Sequence, residues 1–198
     1  MQLLQHCTLC PRACGANRAA GAVGVCGAGD TLRVARAALH HWEEPCLSGD
    51  PEAATGSGTV FFSGCTLRCC YCQNFPISQQ GVGKEISAAR LSEIFLELQQ
   101  GGAKNINLVT ATQFLPWVTE ALDTARARGL RLPIVYNTGG YETVETVQAL
   151  SGYVDIWLAD FKYASRKVSA ELSAAADYPA VAEAALRQML LQTGAPVY

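Results

Sequence analysis

The sequence predicts an α/β protein built as a partial (β/α) barrel, preceded by a small cysteine-rich module. Two observations support this prediction. From Gly58 onward, short apolar runs alternate with amphipathic segments, which is the pattern of parallel βαβ units. All nine cysteines of the 198-residue chain fall between Cys7 and Cys72, which concentrates metal chemistry in the first third. We therefore predict two domains, a cysteine-rich module with its connection at residues 1–57 and a core at residues 58–198.

Four apolar runs in the predicted core have the length of buried strands. They lie at residues 59–62, 106–109, 132–136 and 154–158, and a weaker strand is predicted at 31–39. Helices are predicted at 88–100, 116–128, 141–150, 166–175 and 179–192, the first of them capped by Ser87. Eight βα units close a full barrel. With four units, and a fifth strand expected to begin only at 195–198, we expect a partial barrel, with a barrel truncated at its carboxyl end as the alternative.

The composition excludes several classes of partner. Charged residues make up 16% of the chain, hydrophobic residues 49%, and the net charge is -2, so nothing attracts nucleic acid or an anionic membrane surface. No apolar run has the length of a membrane span, and the first residues lack the pattern of a signal peptide. We predict a cytoplasmic protein with no nucleic-acid and no membrane partner. In that reducing compartment, cysteines are expected to bind metals rather than form disulfides.

The strongest motif is the run Cys65-Thr-Leu-Arg-Cys69-Cys-Tyr-Cys72, which follows the first core strand. Thiolates with this Cys-x3-Cys-x2-Cys spacing can each reach a different iron of a cubane cluster. A closed cluster needs four protein ligands, so three leave one iron open. Cys70 falls outside the spacing and is interpreted as a free thiol, while Tyr71 offers an aromatic face for a nucleobase. The alternative is a zinc loop or a set of buried free thiols.

A second group of cysteines lies nearer the amino terminus. Four thiolates are enough for a tetrahedral zinc site or a second iron–sulfur cluster, and the spacing does not decide between the two. Unliganded thiols are the alternative, and Cys46 could replace one member of the group. The four residues are Cys7, Cys10, Cys14 and Cys26.

Polar residues follow three of the predicted core strands. Because the carboxyl ends of parallel strands meet on one face of a barrel, these side chains are expected to line a common site. They are Thr110 and Thr112 after the second strand, Asn137 and Thr138 after the third, and Asp160 and Lys162 after the fourth.

The Cys-x3-Cys-x-aromatic-Cys loop resembles the hallmark of the radical S-adenosylmethionine (SAM) superfamily. Neighbouring segments are similar to an uncharacterised branch that resembles pyruvate formate-lyase activating enzyme. The resemblance runs from Cys7 to Lys162 and rests on five segments: Cys7-Thr-Leu-Cys-Pro-Arg-Ala-Cys14, His40-His-Trp-Glu-Glu-Pro-Cys46, Gly58-Thr-Val-Phe-Phe-Ser-Gly-Cys65, Cys72-Gln-Asn-Phe75 and Asp155-Ile-Trp-Leu-Ala-Asp-Phe-Lys162.

The resemblance implies a radical SAM enzyme with a [4Fe–4S] cluster and SAM as cofactors. A low-potential electron donor drives cleavage of SAM to a 5′-deoxyadenosyl radical, which abstracts a hydrogen atom from a protein or small-molecule substrate. One version of this activity is the activation of a glycyl-radical enzyme. Asp160 and Lys162 then inherit a place beside the SAM carboxylate, with an ordinary ion pair as the alternative. A non-catalytic iron–sulfur or zinc module is the rival from another functional class.

Two positions depart from the activating enzymes. Those enzymes carry Gly-Gly-Glu after the second strand, for the SAM amino group, where this chain has Thr110-Ala-Thr-Gln113. The Asp-Thr that follows their third strand is Asn137-Thr138 here. The resemblance therefore leaves the SAM contacts at these two positions open.

Overall fold

The structure of the protein, a computed structural model, describes residues 2–49 and 55–194. Six strands form one sheet in the order β3-β1-β2-β4-β5-β6. The last four strands in that order are parallel, while β1 is antiparallel to both of its neighbours. The strands are β1 (Arg33–His40), β2 (Gly56–Phe62), β3 (Lys84–Glu85), β4 (Ala103–Val109), β5 (Ile134–Thr138) and β6 (Ile156–Ala159).

The α/β class and the parallel βαβ units are thus confirmed. The strand predicted at 31–39 corresponds to β1, which joins the same sheet as the core strands by pairing with β2. The domain division after residue 57 stays a prediction, although β1 lies before that point and β2 extends across it. The expected fifth parallel strand at 195–198 lies outside the described residues.

Eight helices accompany the sheet in the described ranges. They are α1 (Gln2–Gln5), α2 (Pro45–Ser48), α3 (Phe75–Gln79), α4 (Ala88–Gln100), α5 (Leu115–Ala127), α6 (Val144–Ala149), α7 (Arg166–Ser173) and α8 (Tyr178–Thr193). As predicted, α4 is capped by Ser87, whose hydroxyl accepts the Arg90 N–H at 3.1 Å. None of these helices, within the part of the chain that the structure describes, is long and apolar enough to cross a membrane.

Most elements differ by one to three residues from their predicted bounds, and two of these shifts bear on the site. The third predicted strand ends two residues later, because Asn137 and Thr138 continue the ladder opposite Leu158 and Ala159. Helix α6 begins at Val144 rather than at residue 141, because the Thr143 hydroxyl accepts the Thr146 N–H at 3.0 Å and caps the helix there. Both shifts leave polar residues at the carboxyl edge of the sheet.

The main core lies between the sheet and the helices α4 and α5. Its fully buried members include Ile106 and Ile134 from the strands and Phe95, Val118 and Leu122 from the helices. A second, smaller core contains three buried tyrosines next to the loop that carries the Cys-x3-Cys-x2-Cys motif. It joins Leu67 and Cys69 to Tyr141, Tyr163 and Tyr178. The motif loop therefore rests on buried side chains that follow β5 and β6.

Candidate active site

A cavity of about 640 Å³ opens at the carboxyl edge of the parallel strands. Its wall includes Phe62 from β2, Val109 from β4, Asn137 from β5 and Asp160, which directly follows β6. Its volume lies within the range typical of small-molecule sites. Sites in parallel α/β proteins generally form at this edge, so the cavity is the candidate active site.

The motif loop contributes three of its four thiols to this cavity. Cys65, Cys69 and Cys72 all lie on the cavity wall. Cys70 is exposed and borders a separate depression of about 320 Å³ on the other side of the loop. Cys70 thus lines a different depression from the other three thiols, and its interpretation as a free thiol stays a prediction.

Hydrogen-bond donors surround the two outer thiols of this group. The Cys65 sulfur accepts backbone N–H groups from Leu67 and Arg68. Burial, together with the neighbouring Cys69 and Cys72, raises the pKa of Cys65 above its ordinary value. The Ser78 hydroxyl lies 3.3 Å from the Cys72 sulfur and donates to it. Donors aimed at sulfur stabilise a thiolate and thereby favour metal binding.

Arg12 fastens the motif loop to the rest of the protein, a role that the sequence analysis did not assign. Its guanidinium donates to the Thr66 carbonyl at 2.9 Å and to the Leu67 carbonyl at 3.0 Å. The same group donates to the carbonyls of Ser173, at 2.7 Å, and Ala174 at the end of α7. One side chain thus ties the motif loop to a helix more than 100 residues further along the chain.

Asp160 and Lys162 form an ion pair on the cavity wall. The Lys162 Nζ lies 2.5 Å from the Asp160 carboxylate, and their side chains are 31% and 58% exposed. Partial burial acts to lower the pKa of Lys162, but the Asp160 carboxylate outweighs it and the pKa is raised. The backbone here is fixed by Tyr178, whose hydroxyl accepts the Lys162 N–H at 2.7 Å and donates to the Gly139 carbonyl at 2.8 Å.

Glycine at 140 serves backbone packing. Its φ is +76°, and a Cβ there would lie 2.3 Å from the Asp160 carbonyl oxygen. The absence of a side chain at Gly140 therefore lets its backbone approach the backbone that follows β6, next to the cavity. At Gly139, by contrast, the nearest atom to an added Cβ is Lys162 Cε, 3.3 Å away.

Three of the four predicted polar residues after the second and third core strands reach the cavity. Thr110, which adopts a φ of +57°, lies on its wall together with Asn137 and Thr138. Thr112 is buried outside the cavity lining and donates to the carboxylate of Glu142 at 2.7 Å. Thr112 is therefore linked to the cavity wall by its hydrogen bond to Glu142.

Glu142 is a buried carboxylate on the cavity wall that the sequence analysis missed. Its residue is 2% exposed, and Oε1 accepts the hydroxyls of Thr112 and Thr138, the latter at 2.6 Å. Within the described part of the chain, Oε2 has no hydrogen-bond partner. Burial raises the pKa of Glu142 to about 7, although the two threonine hydroxyls act to lower it. The carboxylate is thus poorly compensated and suited to a cationic ligand group.

Two exposed aromatic side chains line the cavity. Tyr71 is 54% exposed, with its ring centroid 6.3 Å from that of Tyr163. Trp42 is 87% exposed and precedes Glu43, whose carboxylate is 3.8 Å from His40 Nδ1. The cavity wall therefore includes apolar surface that solvent can reach.

The amino-terminal cysteines lie behind the motif loop. Cys7, Cys10 and Cys26 are buried and Cys14 is exposed. Across residues 2–49 and 55–194, no three His, Cys, Asp or Glu side chains are arranged around a metal position as they stand. In each cysteine group, the side chains therefore have to rotate before their thiols can bind one metal together.

The fold and the cavity define an α/β protein with a thiol-lined small-molecule site. The sequence model of the radical SAM superfamily matches residues 59–187. The chain belongs to the radical SAM superfamily, whose members bind a [4Fe–4S] cluster and S-adenosylmethionine and act with an electron donor and a substrate. The family and both cofactors predicted from the sequence are therefore confirmed.

One curated relative carries the name of an uncharacterized protein. MJ0674 of Methanocaldococcus jannaschii is 31% identical over 137 residues, which cover 66% of this chain and 40% of the relative. The match is consistent with an uncharacterised branch of the superfamily. The chain spans less than half the length of this relative.

Proposed function

We propose that Cys65, Cys69 and Cys72 hold the [4Fe–4S] cluster of this radical SAM enzyme and leave one coordination position for SAM. The observation that supports this most directly is that these three thiols line one cavity while Cys70 does not. A cluster needs four ligands to be closed, so three protein thiolates create the open position that catalysis uses.

The residues present fit such a cluster. The donors to the Cys65 sulfur and the Ser78 hydroxyl on Cys72 would stabilise bound thiolates. With SAM bound, the cluster supplies the electron that breaks a carbon–sulfur bond of the sulfonium and gives the radical that abstracts hydrogen. The cavity would confine that radical beside the substrate and so limit abstraction from other C–H bonds.

The polar wall is proposed to position SAM. Lys162 would donate to the SAM carboxylate, and Asp160 would hold the Lys162 ammonium in place. The buried carboxylate of Glu142, whose Oε2 has no hydrogen-bond partner among the described residues, would accept a hydrogen bond from the SAM amino group, the role that resemblance leaves open at residues 110–113. Tyr71 would pack its exposed ring on the adenine.

The experiment measures 5′-deoxyadenosine. Anaerobically reconstituted protein is given dithionite and SAM, and the nucleoside is quantified by mass spectrometry. Release is expected from the wild type and from Cys70→Ala, the matched control on the same loop. Loss is expected for Cys65→Ala, Cys69→Ala and Cys72→Ala. If the Cys70 variant loses the cluster while one of the others keeps it, the assignment is wrong, and a cluster without SAM cleavage would favour the non-catalytic module.

The reaction that we propose is the installation of a glycyl radical on a partner polypeptide. It is supported by the resemblance of the sequence to activating enzymes and by the exposed Trp42 on the cavity wall, which suits contact with a polypeptide. Electron paramagnetic resonance of candidate partner proteins after turnover tests this step. SAM cleavage with no radical on any glycyl-radical protein tested would assign the enzyme to another substrate.

A further inference from the structure

Two of the four amino-terminal cysteines flank a short turn that packs against the motif loop. Gly24 lies between these two: a Cβ at this residue would stand 3.3 Å from the Cys26 sulfur and 3.5 Å from the Cys14 sulfur. The turn is closed by Gly24 itself, whose N–H donates to the Ala28 carbonyl at 3.0 Å. A residue without a side chain therefore leaves the space between these sulfurs free.

Three of the four sulfurs accept a backbone N–H from the second residue after the cysteine. The sulfur of a neutral thiol is a weak hydrogen-bond acceptor, whereas a thiolate is a good one. The repeated geometry therefore prepares these positions for thiolates, as donors around metal-bound sulfur do. The three bonds are Arg12 to Cys10, Ala16 to Cys14 and Ala28 to Cys26.

A buried guanidinium points into the same group. Arg18 is 0% exposed and makes no ion pair with a carboxylate among the described residues. Its Nε and Nη1 donate to the carbonyls of Gly29 and Gln113 at 2.6 and 2.7 Å, Nη1 also lies 4.0 Å from the Cys7 sulfur, and Nη2 has no partner within the described ranges.

A buried cation is costly unless an anion balances it. The rings that pack against Arg18, those of Phe114 and Trp117, offer their faces but no negative charge. Four thiolates around a divalent metal carry a net charge of about 2−, so metal binding by the cysteines would supply the counter-charge that Arg18 otherwise lacks.

We propose that Cys7, Cys10, Cys14 and Cys26 form a second metal centre of four thiolates, with Arg18 as its charge partner. The soft, tetrahedral thiolate set suits Zn²⁺ or the irons of a second iron–sulfur cluster. On binding, each thiol gives its proton to solvent, and the exposed Cys14 turns inward to complete the set. None of the observations that support this centre depends on the chemistry proposed at Cys65.

The second centre also supports the motif loop. The Cys26 carbonyl accepts the Cys65 N–H at 3.0 Å, and the Val25 carbonyl accepts the Arg68 guanidinium at 2.7 Å. A Cβ at Gly64 would lie 2.4 Å from the Cys26 carbonyl oxygen, so the two segments pack backbone to backbone. Fixing Cys26 by a metal would therefore fix the start of the loop that carries Cys65.

The test is a metal count that does not involve SAM cleavage. In anaerobically purified, reconstituted wild type, elemental analysis is expected to find one zinc, or about four irons, beyond the four irons of the SAM cluster. Cys14→Ser, which changes an exposed thiol, is expected to lose that extra metal, whereas Cys46→Ser keeps it. Cys14→His is expected to retain zinc, because histidine can replace one thiolate in such sites.

Co²⁺ binding to the wild type gives a second test, which does not depend on whether a variant folds. Titrating Co²⁺ into wild type whose second centre was emptied by chelation should give the absorption bands of a tetrahedral cobalt–thiolate site at one equivalent. Cys14→Ser should weaken this binding at least about tenfold. Wild type with four irons, no zinc and no cobalt–thiolate bands would overturn the proposal, whether or not SAM is cleaved.

Discussion

The raised pKa of Glu142 predicts a specific pH dependence of stability. The folded protein holds the Glu142 proton with a pKa of about 7, against an ordinary value of 4.5. Because the folded state binds this proton more tightly than the unfolded state, Glu142 contributes stability below pH 4.5 that is lost as pH rises through 7. From those two values, the loss between pH 5 and pH 8 amounts to about 2–3 kcal/mol of unfolding free energy.

Substituting Glu142→Gln removes the titration while keeping an oxygen that can accept the hydroxyls of Thr112 and Thr138. Urea unfolding of both proteins, with cluster and without SAM, is measured at pH 5, 6, 7 and 8. Between pH 5 and pH 8, the unfolding free energy of the variant should rise by about 2–3 kcal/mol relative to that of the wild type. Glu145→Gln, at an exposed carboxylate in the first turn of α6, is the matched control. A free-energy difference between Glu142→Gln and wild type that stays constant across this range would refute the reasoning.

Three further predictions concern the cavity wall and the loop behind it. Lys162→Ala should weaken SAM binding about ten- to a hundredfold at normal iron content, because it removes a charge-assisted hydrogen bond; equal SAM affinities in titration would reduce the Asp160 pair to an ordinary ion pair. Arg12→Lys should lower the melting temperature by about 4–12 °C, because an ammonium cannot span the carbonyls on both sides of it; an unchanged melting curve would mean that Arg12 does not fasten the loop. Gly140→Ala should lower the free energy of unfolding by about 2 kcal/mol or more, whereas Gly139→Ala should lower it far less. Chemical denaturation of both variants tests this, and equal losses would contradict it.

The sequence predicted the elements whose signals are local. The Ser87 cap and the apolar face of α4 depend on residues within a few positions, and both were found where the pattern placed them. The Cys-x3-Cys-x2-Cys spacing likewise acts within one loop and carried the family assignment. Bounds were missed where a strand continued through polar residues, as at Asn137 and Thr138, because those side chains face a cavity rather than the core.

The site residues that the sequence did not reveal depend on distant partners. Glu142 follows β5, yet one of the hydroxyls that it accepts comes from Thr112, 30 residues earlier. Arg18 is buried because Gln113, 95 residues away, supplies a carbonyl for it. Neither residue has a local pattern that distinguishes it from an ordinary surface charge, so only the three-dimensional structure brings it to the site.

The position of Arg12 bears on how the protein is made. Its guanidinium joins the carbonyls of Thr66 and Leu67 to that of Ser173, so the motif loop gains its last fixed contacts from residues synthesised about a hundred positions after it. At typical translation rates this is a delay of roughly 5–20 seconds. During that interval the loop that carries the cysteines lacks the link through Arg12 to Ser173. We therefore expect stable cluster insertion to follow the synthesis and folding of α7.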